Sequence, residues 1–136
     1  MQREDLGSLF GRITRRLIAA EEPLLAEQEL SMWGYAVLTH LAREPADSQL
    51  ALATAIGHDK SRLIPLLDQL EHDGLIVREQ DPADRRHRRV RLTPQGESRL
   101  TAVRAQVRAM EDDLLADLSA TDRRALLRIL THLADG

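Results

Sequence analysis

Residues 59–94 read DKSRLIPLLDQLEHDGLIVREQDPADRRHRRVRLTP, and a change of period inside this run decides the fold. Leu63, Leu66, Leu67 and Leu70 recur every three or four residues behind Asp59, a residue suited to cap a helix start, and Gly74 stops the pattern. Leu75-Ile76-Val77-Arg78-Glu79 is then compact and β-rich, while Arg89-Val90-Arg91-Leu92-Thr93 alternates charged with apolar residues, so two strands are expected. Asp81-Pro82-Ala83-Asp84 between them is turn chemistry. The arginines Arg85, Arg86, Arg88, Arg89 and Arg91 therefore fall at the tip and on the return strand of a hairpin.

Working upstream, a short helix is expected from about Ser48 through Leu52, Ala53 and Ile56 to Gly57, joined to the helix behind Asp59 by only a few residues. Ser31 reads as the cap of another helix bearing Trp33, Val37, Leu38 and Leu41, closed by Pro45. Leu6, Leu9, Phe10, Ile13, Leu17 and Ile18 mark a first amphipathic helix that runs to a break at Glu21-Glu22-Pro23. Downstream, Thr93-Pro94 begins a long helix with Leu100, Val103, Val107, Met110, Leu114 and Leu118 on one side. Ser119 to Asp122 opens a last helix with Leu126, Leu127, Ile129, Leu130 and Leu133.

Composition agrees with this order. The 136 residues contain 43% hydrophobic and 30% charged residues but a single Trp, Tyr and Phe, which suits packed helices and neither a disordered chain nor an all-β one. The fold class expected is mostly α with a small β-hairpin wing, a winged helix-turn-helix flanked by terminal helices. Without cysteine there are no disulfides and no thiolate chemistry. No run of 18 apolar residues and no signal peptide occurs, so a soluble, cytoplasmic protein with no membrane partner is expected. The formal charge of -3 argues against a generally basic polyanion binder, but residues 85–91 hold five arginines and no acid, leaving -8 on the other 129 residues.

A helix fits the major groove of DNA and can present side chains to base edges; a thin basic hairpin suits the narrower, more negative minor groove. With Leu63, Leu66, Leu67 and Leu70 turned inward, the face offered to a groove carries Ser61, Arg62, Pro65 and Gln69, with Lys60, the only lysine, near its start. The hairpin offers Arg85, Arg86, His87 and Arg88. Arg89 and Arg91 either share this role or decorate the outer face of their strand.

Asp59-Lys60-Ser61-Arg62-Leu63-Ile64, Leu70-Glu71 with Gly74-Leu75-Ile76-Val77-Arg78, Asp81-Pro82-Ala83-Asp84-Arg85-Arg86 and Val90-Arg91-Leu92-Thr93-Pro94-Gln95-Gly96 together resemble the multiple antibiotic resistance regulator (MarR) family of bacterial transcription factors. The resemblance covers essentially the whole chain in helix order. It implies one domain over residues 1–136, a winged part at 31–93, and dimerisation helices at 1–22 and 94–136. It implies a homodimeric regulator, usually a repressor, on a pseudo-palindromic double-stranded DNA operator, often controlled by a small molecule. Lys60, Ser61, Arg62 and Pro65 resemble the family's groove-reading residues, Arg85 and Arg86 its wing arginines, and Asp84 the acid that pairs with a wing arginine. Pro65 either offers an apolar surface to a thymine methyl or only bends its helix.

Other chemistry finds little support. The five histidines (His40, His58, His72, His87 and His132) include no i, i+4 pair and no HExxH, so no metal is expected. Glu111-Asp112-Asp113 read as solvated acids, and there is no Gly-rich phosphate loop and no GxSxG, so neither an enzyme nor a cofactor is expected. Trp33, Tyr35 and His40 gather on one helix beside the expected junction between the dimerisation helices and the DNA-binding part, and they are candidate contacts for a small aromatic or phenolic effector, which the resemblance places at that junction. The rival reading is a helical interaction module whose winged part and arginine cluster bind an acidic partner protein.

Overall fold

A computed structural model describes residues 2–136 as α1 (Leu6–Glu27), α2 (Met32–Arg43), α3 (Gln49–Ile56), α4 (Lys60–His72), β1 (Ile76–Gln80), β2 (Arg88–Leu92), α5 (Pro94–Leu114) and α6 (Ala120–Asp135). Five of the six helices begin on a side-chain cap. Ser31 Oγ accepts the Gly34 N–H at 3.0 Å, Ser48 Oγ that of Ala51 at 3.0 Å, Asp59 Oδ2 that of Arg62 at 3.3 Å, Thr93 Oγ1 that of Gly96 at 3.0 Å and Ser119 Oγ that of Asp122 at 3.1 Å. Each cap satisfies an amide that has no acceptor inside its helix, which fixes where the helix begins.

β1 and β2 pair antiparallel with Ile76 opposite Leu92 and Gln80 opposite Arg88. This register turns Ile76 and Val90 into the core and leaves Arg89 and Arg91 outside. A third segment joins the hairpin: Ala46, in the loop between α2 and α3, exchanges backbone hydrogen bonds with Val90 at 2.9 and 3.0 Å. Sequence pattern gives no sign of a one-residue bridge beside Pro45. Leu25, Val37, Leu38, Leu52, Leu63, Leu67, Ile76, Val90 and Val103 are fully buried, so α1, α2, α3, α4, the hairpin and α5 share one core. Gly96 lets α5 start against the hairpin, since a Cβ there would lie 2.1 Å from the Leu75 carbonyl oxygen.

Two expectations are corrected. α1 does not break at Glu21-Glu22-Pro23 but runs through Pro23 to Glu27. Pro23 is exposed and deletes one donor, while the added turn carries Leu25 into the core with Leu24 packed beside it. Leu118 continues the helical spacing of α5 on paper, yet α5 ends at Leu114 and Leu118 lies in the turn before Ser119. The chain must reverse there for α6 to begin. α6 itself contains no buried residue; Leu127 and Leu133 are 59% and 60% exposed, and Leu6, Phe10 and Ile13 of α1 are exposed as well.

Candidate nucleic-acid interface and the adjoining cavity

At the start of α4 the Asp59 carboxylate accepts both the Ser61 hydroxyl and the Arg62 amide. The Ser61 hydrogen bond chiefly, with that amide, holds the Asp59 carboxyl below its ordinary range. Lys60, Ser61, Arg62, Pro65 and Gln69 are all exposed, and α4 continues unbroken through Pro65. Lys60 and Arg62 have no acid within ion-pairing distance among the described residues. Gln69 differs, because its Nε2 donates to Asp73 Oδ1 at 3.0 Å, at the end of the helix.

The hairpin tip is built by its own side chains. Asp81 Oδ1 accepts the Ala83 amide at 2.9 Å, the Asp81 amide donates to the His87 carbonyl at 3.0 Å, and Gln80 Nε2 donates to the Arg85 carbonyl at 3.0 Å. Asp84 accepts from Arg86 three times: from its amide at 3.0 Å, its Nε at 3.1 Å and its terminal nitrogen at 3.2 Å. His87 Nδ1 stands 3.5 Å from the same carboxylate. The Arg86 side chain chiefly, then its amide, depresses the Asp84 carboxyl. The wing cations are therefore not equivalent. Arg86 is held on Asp84, Arg91 is paired with Glu79, and Arg85, Arg88 and Arg89 are exposed with no acid partner among the described residues.

Sequence reasoning missed the residue that joins these two parts. Arg78 of β1 donates to Asp68 of α4 at 2.6 Å, to Glu71 of α4 at 2.8 and 3.2 Å, and to Gln49 of α3 at 3.0 Å, while its amide donates to Glu71 at 2.9 Å. Its side chain is 8% exposed. In the sequence Arg78 is one charged residue in an alternating strand; only the register shows that it faces two acids one helical turn apart. Its guanidinium, first by side-chain hydrogen bonding, pulls the Glu71 carboxyl down.

Beside this unit a cavity of about 720 Å³ opens between α1, α2, the end of α3 and α5. Tyr35 and His40 are among its lining residues. Trp33 is not: its ring turns instead onto His58, with centroids 3.9 Å apart and planes 22° apart. Seven residues of helix give Trp33 and His40 a similar Cβ direction, but not the direction of a ring that finds an aromatic neighbour in the turn after α3. Arg43, Arg104 and Arg108 also line the cavity, as do Glu21 and Glu111. Arg108 pairs with Glu111 at 2.9 Å, whereas Arg43 and Arg104 have no acid partner among the described residues. Burial, then the charge of Glu111, pushes the Glu21 carboxyl up. Arg104 and Arg108, four apart beside Val103 and Val107, were the available sequence signal.

No group of three or more metal-ligating side chains occurs among the described residues, and no described helix is long and apolar enough to cross a membrane. The sequence model of the MarR family matches residues 30–87. A solved MarR structure is 30% identical over 99% of this chain and 92% of its own, with a TM-score of 0.89. The chain belongs to the MarR family. CouR, a transcriptional repressor solved on a 23-mer DNA duplex, is 31% identical with a TM-score of 0.81, covering 96% of this chain and 92% of the repressor. CouR from Rhodococcus jostii RHA1 has also been solved with p-coumaroyl-CoA, at 27% identity, a TM-score of 0.78 and the same coverage. A Thauera aromatica protein assigned to regulation of the hcr operon is 37% identical over 73% of this chain, which spans 60% of that protein's length. The MarR fold thus extends over both terminal helices, beyond the 30–87 core that the family model matches.

Proposed function

We propose that this chain is a cytoplasmic, homodimeric transcriptional regulator, a repressor that binds a pseudo-palindromic operator and lets go when a small effector fills the α1–α2–α5 cavity. One observation carries the reading: α4, with Lys60, Ser61 and Arg62 exposed at its start, is fastened through Arg78 to a hairpin whose tip exposes Arg85 and Arg88 without acid partners. In this reading the start of α4 enters the major groove and the tip follows the minor groove. Pro65 and Gln69 lie farther along the same face, and His87 and Arg86 stiffen the tip on Asp84. The likeness to a repressor solved on DNA supports this over docking to an acidic protein.

The exposed apolar faces of α1 and α6 support a two-fold dimer, which would set the two α4 helices about 34 Å apart, one turn of DNA. The cavity is lined by residues of α1 and α5 and of α2 and α3, so a ligand there bears on both the dimer helices and the winged part. Met32, Ile56 and Val107 suit an apolar body, and Arg43 and Arg104 suit an acidic group on it. The likeness to CouR, solved with an aromatic acyl-CoA, supports a ligand of this kind.

Selection of duplexes from a random DNA library tests the proposal. An inverted repeat with half-sites one turn apart is expected, and Arg62→Ala is expected to relax preference at one base pair in each half-site, since a bidentate arginine–guanine contact discriminates by about 1–3 kcal/mol. Recovery of the same motif by the variant would contradict base reading through Arg62.

A further inference from the structure

The two ends of α4 are held by different means. Near its C-terminal end, Arg78 grips Asp68 and Glu71. Its N-terminal end follows the turn Gly57-His58-Asp59, in which Gly57 is left-handed (φ 71°) and the His58 amide closes α3 on the Ala53 carbonyl at 2.9 Å. The Asp59 side chain serves only its own helix, through Ser61 and Arg62. What reaches this turn from α2 is the Trp33 indole, stacked on the His58 imidazole at 3.9 Å. Trp33 remains 42% exposed, so it contributes little to the core, and the contact it does make falls one residue before the cap of α4. The neighbours of both partners, Met32 beside Trp33 and Ile56 two residues before His58, line the cavity.

We propose that the Trp33–His58 stack is a positioning contact for base reading: it fixes the α3–α4 turn and with it the direction in which Lys60 and Arg62 leave the start of α4. The inference rests on α4 being the element that enters the groove. Its physical basis is a difference in tolerance. Attraction to phosphates depends little on side-chain direction, whereas a bidentate contact to a base edge needs its donor held to within about 0.5 Å and 10–20°. Loosening the turn therefore weakens operator binding more than binding to an arbitrary sequence.

The test uses the full dimeric protein, a duplex recovered by the unaltered chain in selection, and a scrambled duplex of equal length. Trp33→Ala and His58→Ala are each expected to weaken binding to the selected duplex about three- to tenfold, the range of one aromatic pair, with scrambled-duplex binding changed less than twofold. The double variant should bind no worse than the weaker single one, because both remove the same contact. Trp33→Phe, which keeps a ring at the stack, should stay within twofold of the unaltered protein, and the thermal midpoints of the alanine variants should fall by only a few degrees, as loss of one aromatic pair implies. Additive losses, equal weakening on both duplexes, or a Trp33→Phe variant as weak as Trp33→Ala would overturn the positioning role. Failure of the unaltered chain to recover any motif would instead overturn the DNA-binding reading beneath it.

Discussion

Replacing Arg78 by Met tests whether one guanidinium holds the winged part together. Met keeps most of the apolar stem volume and removes every charged donor. The lost interactions differ in weight. Asp68 is 62% exposed, so its pair with Arg78 contributes about 0.5 kcal/mol at most. Glu71 is 36% exposed and accepts two guanidinium hydrogen bonds, worth about 1–2 kcal/mol together after allowance for solvent. The Gln49 hydrogen bond contributes about 1 kcal/mol. The expected loss is about 2–3.5 kcal/mol, measured by urea unfolding at one fixed protein concentration because a dimer's stability depends on it. Asp68→Asn should cost less than about 0.5 kcal/mol by the same weighting.

The Glu71 carboxyl adds a pH signature. Arg78 holds it below its ordinary value of 4.5, so the stability it confers is present above that pH and is lost as pH falls through the depressed folded-state value. The gap between the unaltered protein and Arg78→Met should accordingly narrow below pH 4.5. Arg78→Lys should recover only part of the loss, since an ammonium cannot present the fork that meets Glu71, Asp68 and Gln49 at once. An Arg78→Met variant within 0.5 kcal/mol of the parent, or a gap that acid leaves unchanged, would refute the reasoning.

Arg85→Ala should flatten the dependence of log affinity on log salt by roughly 2, at about 0.9 per phosphate on each of two protomers, while Arg128→Ala on α6 should leave the slope alone; titration of a selected duplex across salt concentrations reads both. Glu21→Gln should raise the unfolding midpoint at pH 7 and have little effect near pH 4, because burial and Glu111 raise the Glu21 carboxyl, so its cost falls on the charged form above its ordinary value of 4.5. A midpoint equal to the parent's at both pH values would contradict that placement. Sedimentation at micromolar concentration should give twice 15.3 kDa, and a well-behaved monomer would leave the apolar faces of α1 and α6 without explanation.

The order of elements was legible in the sequence because it is written in short-range chemistry. Ser31, Asp59, Thr93 and Ser119 announce helix starts by the hydrogen bond each makes three residues on, Gly57 and Gly74 mark left-handed positions, and the switch from three-and-four spacing to alternation marks the hairpin. The exposed candidates on α4 were equally legible, since they are what remains when Leu63, Leu67 and Leu70 are turned inward. What the sequence left open depends on partners far along the chain. Pro23 stays inside α1 because Leu25 finds the core, Ala46 bridges Val90, Arg78 meets Gln49 and Glu71, and Trp33 turns to His58 and leaves the cavity to Tyr35, His40 and Arg104. Local propensity fixes where a helix begins and which way its Cβ atoms point; which cation is free, which ring faces a cavity and which acid is neutralised follow from the register and packing of elements that no local pattern encodes.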